Sequence, residues 1–162
     1  MVKKIVGTGV LLVLALALQA GVKMYTLKSP DGKVKLEVTA GQGIAYSLFY
    51  DGRLLLKPSR IALHTDLPEA DHWENIRITG TKQRHVSETV QAPFYRVKEF
   101  GIDCNELELR LNNGFSLLMR AYNDGMAYRF VAGRKGEMTV VEERAEFNFA
   151  DDFEAYIPSV SY

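Results

Sequence analysis

Hydrophobic and polar residues alternate most clearly over residues 105–130, where the alternation runs through two turn dipeptides. Leu107, Leu109 and Leu111 alternate with Glu106, Glu108 and Arg110. At a side-chain period of two, the leucines share one face and the charges the other, which predicts a half-buried strand. Asn113-Gly114 then supplies residues that tolerate positive φ in a tight hairpin, and Asp124-Gly125 repeats the device after Tyr122. Two hairpins in succession make a three-strand meander. An amphipathic helix over 116–122 is the competing pattern, but a segment this short between two such turns reads as a strand. Glu106 and Glu108 share a strand face and so lie on one side of any substrate, which leaves them as the solvent face of a scaffold.

Elsewhere the same period recurs. Residues 24–28 form a short strand candidate, and Ser29-Pro30-Asp31-Gly32 follows as a β-turn in which Pro presets φ and Gly takes the positive-φ position. Val34, Leu36 and Val38 alternate with Lys33, Lys35 and Glu37. A strand over 44–50 turns at Asp51-Gly52 into 53–57, breaks at Pro58 and resumes over 59–65. Residues 66–73 lose the pattern and read as a surface loop, 74–81 regain it, and 83–100 are hard to read apart from a bend at Pro93. Residues 138–149 predict a long strand with a bulge where the phase shifts. About ten short strands with repeated X-Gly turns and no convincing helix predict an all-β chain, an antiparallel sandwich in one domain.

The N-terminus changes the expected compartment. Lys3 and Lys4 precede an apolar run over 5–18 that ends among Ala15, Ala17 and Ala20, the layout of a secretory signal peptide. Cleavage after Ala17 or after Ala20 both fit, so 1–20 is assigned to the signal and 21–162 to the β-sandwich. A retained anchor is disfavoured, because the run is short of the ~20 residues a spanning helix needs and carries Gly7 and Gly9. The expectation is a periplasmic or secreted chain without a stable membrane anchor.

Of 20 basic and 20 acidic residues in the 162, removing Lys3 and Lys4 leaves 18 − 20 = −2. The bases are scattered among acids, which argues against a nucleic-acid partner. Cys104 is the only cysteine, so no internal disulfide forms and stability rests on the core.

Four motifs occur in register: Ser29-Pro30-Asp31-Gly32; Tyr46-Ser47-Leu48 with Pro58-Ser59-Arg60-Ile61-Ala62-Leu63; Asn105-Glu106-Leu107; and Arg120-Ala121-Tyr122-Asn123-Asp124-Gly125-Met126-Ala127-Tyr128-Arg129-Phe130. Together they resemble the N-terminal domain of glycoside hydrolase family 97, and the resemblance continues through a strand over 142–149 and Ile157-Pro158. It implies an exported enzyme in three parts: a β-super-sandwich like that of galactose mutarotase, a catalytic (β/α)₈ barrel and a small C-terminal β-domain. Its members are inverting α-glucosidases or retaining α-galactosidases with calcium at the active site. Inversion needs two carboxyl groups with room for a water, and retention needs them closer. By the resemblance those groups lie on the barrel, and an acidic residue reaching the metal falls beyond Tyr162. No catalytic or metal residue is therefore assigned in this chain, which has no cofactor of its own. The implied partners are the barrel and an α-linked oligosaccharide, and the sandwich is incomplete. Two departures, Cys104 for a usual Tyr and Phe94-Tyr95-Arg96 for Trp-Gly-Glu, leave glucoside and galactoside, inversion and retention, open. A free-standing carbohydrate-binding β-module is the alternative.

Candidate chemistry is sparse. Glu142-Glu143 and Asp151-Asp152 are adjacent and point to opposite strand faces, so neither pair flanks one glycosidic bond. His64, His72 and His85 lack metal-ligand spacing. Cys104, just before the leucine strand, is expected as a small buried hydrophobe. Trp73 and Tyr95 are the weak carbohydrate-contact candidates, since an aromatic face stacks on a sugar ring.

Overall fold

The computed structural model describes residues 23–154 and 156. The stretch expected to be a signal peptide, 1–20, and Ile157-Pro158 lie outside the described residues. Nine strands are found among those described: β1 (Met24–Lys28), β2 (Val34–Gly41), β3 (Gly43–Tyr50), β4 (Arg53–Thr65), β5 (Ile78–Gln91), β6 (Glu99–Leu111), β7 (Phe115–Tyr122), β8 (Gly125–Ala132) and β9 (Val140–Ala145). They form two antiparallel sheets, one ordered β1-β2-β3-β4-β9 and the other β5-β6-β7-β8. The all-β sandwich expected from the alternation is the observed fold.

The meander folds as its turns dictate. Gly114 sits at φ 85° in the β6–β7 turn, and the register pairs Leu107 with Met119 and Leu109 with Leu117. Those four side chains are buried and face Leu36, Val38, Ile44 and Tyr46 of the other sheet. β1 and β2 lie over β6 and β7, so β4 and β9 overhang the second sheet. The 66–77 segment closes part of that overhang, with Ala70, Trp73 and Ile76 in the core. A loop that is polar in composition thus turns out to carry core residues at Ala70 and Trp73, while the surface-loop expectation holds for the exposed Asp66, Pro68, Glu69 and His72.

Three strand boundaries differ from expectation, and the long strand expected over 138–149 is confined to β9, Val140–Ala145. Pro58 does not break β4. Tyr46 pairs with Ser59 and Leu48 with Leu56, so Ser47 alone opposes Lys57 and Pro58 in a bulge, where the missing N–H of proline leaves no gap in the ladder. Residues 74–77 form a turn rather than a strand, and β5 then runs unbroken to Gln91 through the stretch that was hard to read. Pro93 lies in the turn that follows, as expected. Beyond β9 the chain stays against β4: Glu146 N donates to Arg60 O, Lys57 N to Asn148 O and Ala150 N to Leu55 O.

Gly133 closes the β7–β8 end of the meander, its N–H donating to Gly114 O at 2.8 Å. A Cβ there would meet that same carbonyl oxygen at 2.7 Å, and the oxygen is backbone and cannot swing away. Gly133→Ala is expected to cost about 1–3 kcal/mol, read as a lower urea midpoint with an unchanged m value.

Candidate functional site

An open groove of about 890 Å³ lies at one end of the sandwich. Its walls are the β2–β3 turn, the 75–77 segment, the bulge of β4 and Glu146 beside it. Backbone hydrogen bonds fix each wall. Ile76 N donates to Gly41 O at 2.9 Å, and Asn112 N donates to Arg77 O at 3.0 Å. Arg77 N donates in turn to Asn112 Oδ1 at 2.8 Å. Arg60 N donates to Glu146 Oε2 at 3.0 Å. Gly43 takes φ 100° in the turn, and a Cβ there would stand 3.7 Å from Trp73 O, so the turn and the loop approach closely.

The polar residues lining the groove are Thr39, Gln42, Arg60, Asn75, Arg77, Asn112 and Glu146. Glu146 is spent: it accepts from the Arg60 amide, the Arg144 guanidinium and Asn148, and the amide and guanidinium hold its carboxyl below the ordinary 4.5. The guanidinium groups of Arg60 and Arg77 enter no hydrogen bond or ion pair among the described residues, and only their backbone amides are engaged. Gln42 and Arg60 also border a smaller hollow of about 180 Å³ that continues toward His64, Trp73 and Glu74. There His64 Nδ1 lies 2.8 Å from Asp71 Oδ1, which ties the loop to β4.

A second polar cluster lies on the outer face of β5–β6–β7. Glu106 pairs with Arg84 Nε on one oxygen and Arg120 Nε on the other, both at 2.7 Å. Only 4% of Glu106 is exposed, which corrects its reading as part of a solvent face. Burial pushes its carboxyl up, but the two guanidinium groups outweigh that and hold it below 4.5. With each oxygen held by a guanidinium and the carboxyl kept below 4.5, Glu106 is a structural tie and a poor base. Cys104, on the same face of the strand, is fully buried and its thiol is pushed up by that burial, so it is a packing residue as expected. Glu108, at i+2, accepts from Ser116 Oγ at 3.4 Å.

The two aromatic candidates are not brought together. Trp73 is 6% exposed, with its ring 5.2 Å from that of Phe130 and 6.1 Å from that of Phe115, and its Nε1–H donates to Leu63 O at 3.0 Å. Both ring neighbours belong to the core, so little aromatic face is left for a sugar. Tyr95 is 71% exposed in the turn after β5, whereas Trp73 lies just before that strand begins. Most of the length of the 14-residue β5, at ~3.3 Å per residue, lies between them.

The adjacent carboxylates also stay apart. Glu143 accepts from Tyr128 Oη at 3.2 Å, Glu142 stands opposite His64 on the other face of β9, and Asp151 lies 3.5 Å from Arg53. No group of three or more His, Cys, Asp or Glu is placed to hold a metal ion among the described residues. Sequence spacing could not have found the groove, whose lining comes from five separate segments.

The described residues define an all-β, two-sheet antiparallel sandwich with a fixed polar groove at one end. The model described as Glycosyl-hydrolase 97 N-terminal matches residues 27–162, and the chain belongs to glycoside hydrolase family 97 as a non-catalytic N-terminal part. A retaining alpha-galactosidase of Bacteroides thetaiotaomicron is 40% identical over 146 residues, which is 90% of this chain and 22% of the relative. A probable retaining alpha-galactosidase of Streptomyces bingchenggensis is 26% identical over 132 residues, 79% of this chain and 20% of the relative. Among solved structures, a beta-arabinopyranosidase superposes with a TM-score of 0.68 at 25% identity, covering 77% of this chain and 21% of its own. A glycoside hydrolase family 97 enzyme from Pseudoalteromonas sp. strain K8 in complex with panose gives 0.65 at 19% identity, over 78% of this chain and 20% of its own, a likeness of fold. The chain thus spans about a fifth of the length of the curated relatives it matches.

Proposed function

We propose that the chain serves an exported α-glycosidase as the sandwich that packs against a catalytic (β/α)₈ barrel and helps to shape its site. The observation that carries this reading is the match of residues 27–162 to the N-terminal part of the family, at about a fifth of the relatives' length. α-Galactosides are favoured over α-glucosides as the substrate of the whole enzyme, because both curated relatives are named as α-galactosidases. Export to the periplasm or beyond is supported by Lys3 and Lys4 ahead of the apolar run over 5–18. Calcium, implied for the family, belongs in this reading to the catalytic part. The described residues do not fit such a site, since they gather no cluster of oxygen ligands of the kind calcium takes.

Glycoside hydrolysis needs an acid and a second carboxylate on either side of the scissile bond. The acids near the groove are already committed or stand alone: Glu146 is held by Arg144 and the Arg60 amide, and Glu74 lines a separate adjoining hollow with Gln42, Arg60 and Asn75, where it is the one carboxylate. The purified 162-residue chain is therefore expected to release nitrophenol from aryl α-galactosides and aryl α-glucosides no faster than buffer. Turnover that co-purifies with the chain and is lost on heat unfolding would overturn the assignment.

A further inference from the structure

We propose that the groove between the β2–β3 turn and the 75–77 segment is an accessory saccharide site for a sugar carrying an anionic group. Its shape is held by hydrogen bonds from the backbone of its walls, with Asn112 and Glu146 already engaged, while the side chains of Gln42, Arg60, Asn75 and Arg77 are unspent. The Gly41, Asn112 and Glu146 contacts pin three walls without using the guanidinium of Arg60 or Arg77, or the side-chain amide of Gln42 or Asn75. Because the walls are already fixed, a ligand that binds has to order only the side-chain tips and not the backbone.

The free groups specify the ligand. Two guanidinium groups line one groove whose single lining carboxylate, Glu146, is neutralised by Arg144 at 2.6 Å. The groove is left electropositive. A guanidinium presents a planar fork that matches a carboxylate or a sulfate ester through two parallel hydrogen bonds. Gln42 and Asn75 add donors and acceptors suited to vicinal hydroxyls, and Ala45, Pro58 and Ile76 supply apolar surface for the C–H face of a pyranose. A volume of about 890 Å³ falls at the upper end of the roughly 300–1,000 Å³ usual for small-ligand sites, so the groove holds more than one ring. That the ligand is a saccharide rests on the family reading above; that it is anionic rests on Arg60 and Arg77.

Isothermal titration of the 162-residue chain tests this with digalacturonic acid, galactose 6-sulfate, neutral melibiose and inorganic sulfate as separate ligands. One of the two acidic sugars is expected to bind at least tenfold more tightly than melibiose and than inorganic sulfate, and the one that binds identifies the carboxylate or the sulfate ester as the anion. The Arg60→Gln/Arg77→Gln double variant is expected to lose at least tenfold in affinity with an unchanged melting temperature, since both side chains are exposed and unpaired. Equal binding of melibiose, equal binding of inorganic sulfate, no binding by either acidic sugar, or undiminished binding by the double variant would each overturn the site. None of those results bears on hydrolysis, so the site can fail while the family reading stands.

Discussion

Trp73→Ala is expected to destabilise the protein by about 3–5 kcal/mol, the range for truncating a large buried aromatic. The indole fills the gap left where β4 overhangs the second sheet, and it meets Phe130 edge-on at 5.2 Å. Its removal leaves a cavity between the sheets and takes the Nε1–H partner from the Leu63 carbonyl. For a domain of this size, that corresponds to a fall of about 10 °C or more in melting temperature. Trp73→Phe keeps an aromatic ring but loses the N–H and should cost less than half as much. Because Trp73 is the only tryptophan, the wild type reports unfolding by its own fluorescence, and the variants are followed by circular dichroism. A loss below 1 kcal/mol in Trp73→Ala would mean that the ring is not held in the core, and would restore it as a candidate sugar platform.

The second large effect is expected at Glu106. Glu106→Gln keeps the shape of the side chain and removes the charge between Arg84 and Arg120, leaving two guanidinium groups without their anion. Breaking a buried pair costs about 3–5 kcal/mol, and the half-exposed Arg84, which water screens, brings the expectation here to about 2–3 kcal/mol. Its pH dependence follows from the direction of the shift. The folded carboxyl titrates below its unfolded value near 4.5, so its stabilisation is fully present above 4.5 and is lost as pH falls through the lower folded value. The gap in unfolding free energy between wild type and Glu106→Gln should thus be widest at pH 7 and should narrow steadily below about 4.5. A gap of the same size at pH 3 and pH 7 would show that charge is not its source. Glu108→Gln, whose residue is half-buried and unclamped, should change stability by less than about 0.5 kcal/mol.

The meander was legible because alternation and turn chemistry agree along 26 consecutive residues, from Asn105 to Phe130. The family was legible from motifs spread over the chain, and the match over residues 27–162 bears it out. What escaped was anything that depends on a second layer. A period of two separates the faces of β6 but does not say what covers each face. The Asn113-Gly114 hairpin does set Glu106 opposite Arg120, yet the second guanidinium comes from Arg84 on a strand whose register was hidden in the unreadable stretch. Pro58 looked like a break because its bulge is defined by the partner strand. Trp73 fell in a segment read as a surface loop because its neighbours are polar, although the overhang of β4 needs a lid. The groove draws on residues as far apart as Gln42 and Glu146, and only tertiary structure joins them.

The extra length of β5 and β6 has its own consequence. β7 pairs with β6 only from Asn105 to Arg110, and the base of the β5–β6 hairpin is stapled to β1 by Gln83 on Thr26 O and Asn105 on Lys28 O. Past that staple the ribbon has a partner on one edge of each strand only, with exposed links such as His85–Asp103 and Gln91–Glu99, and it ends at Phe94, which is 98% exposed. A two-stranded ribbon in water is marginal by itself. Amide protons at the start of β6 can therefore exchange with solvent through local opening of the ribbon, while those of its last residues wait for the whole sandwich to unfold. One continuous strand crosses the boundary between two units of stability.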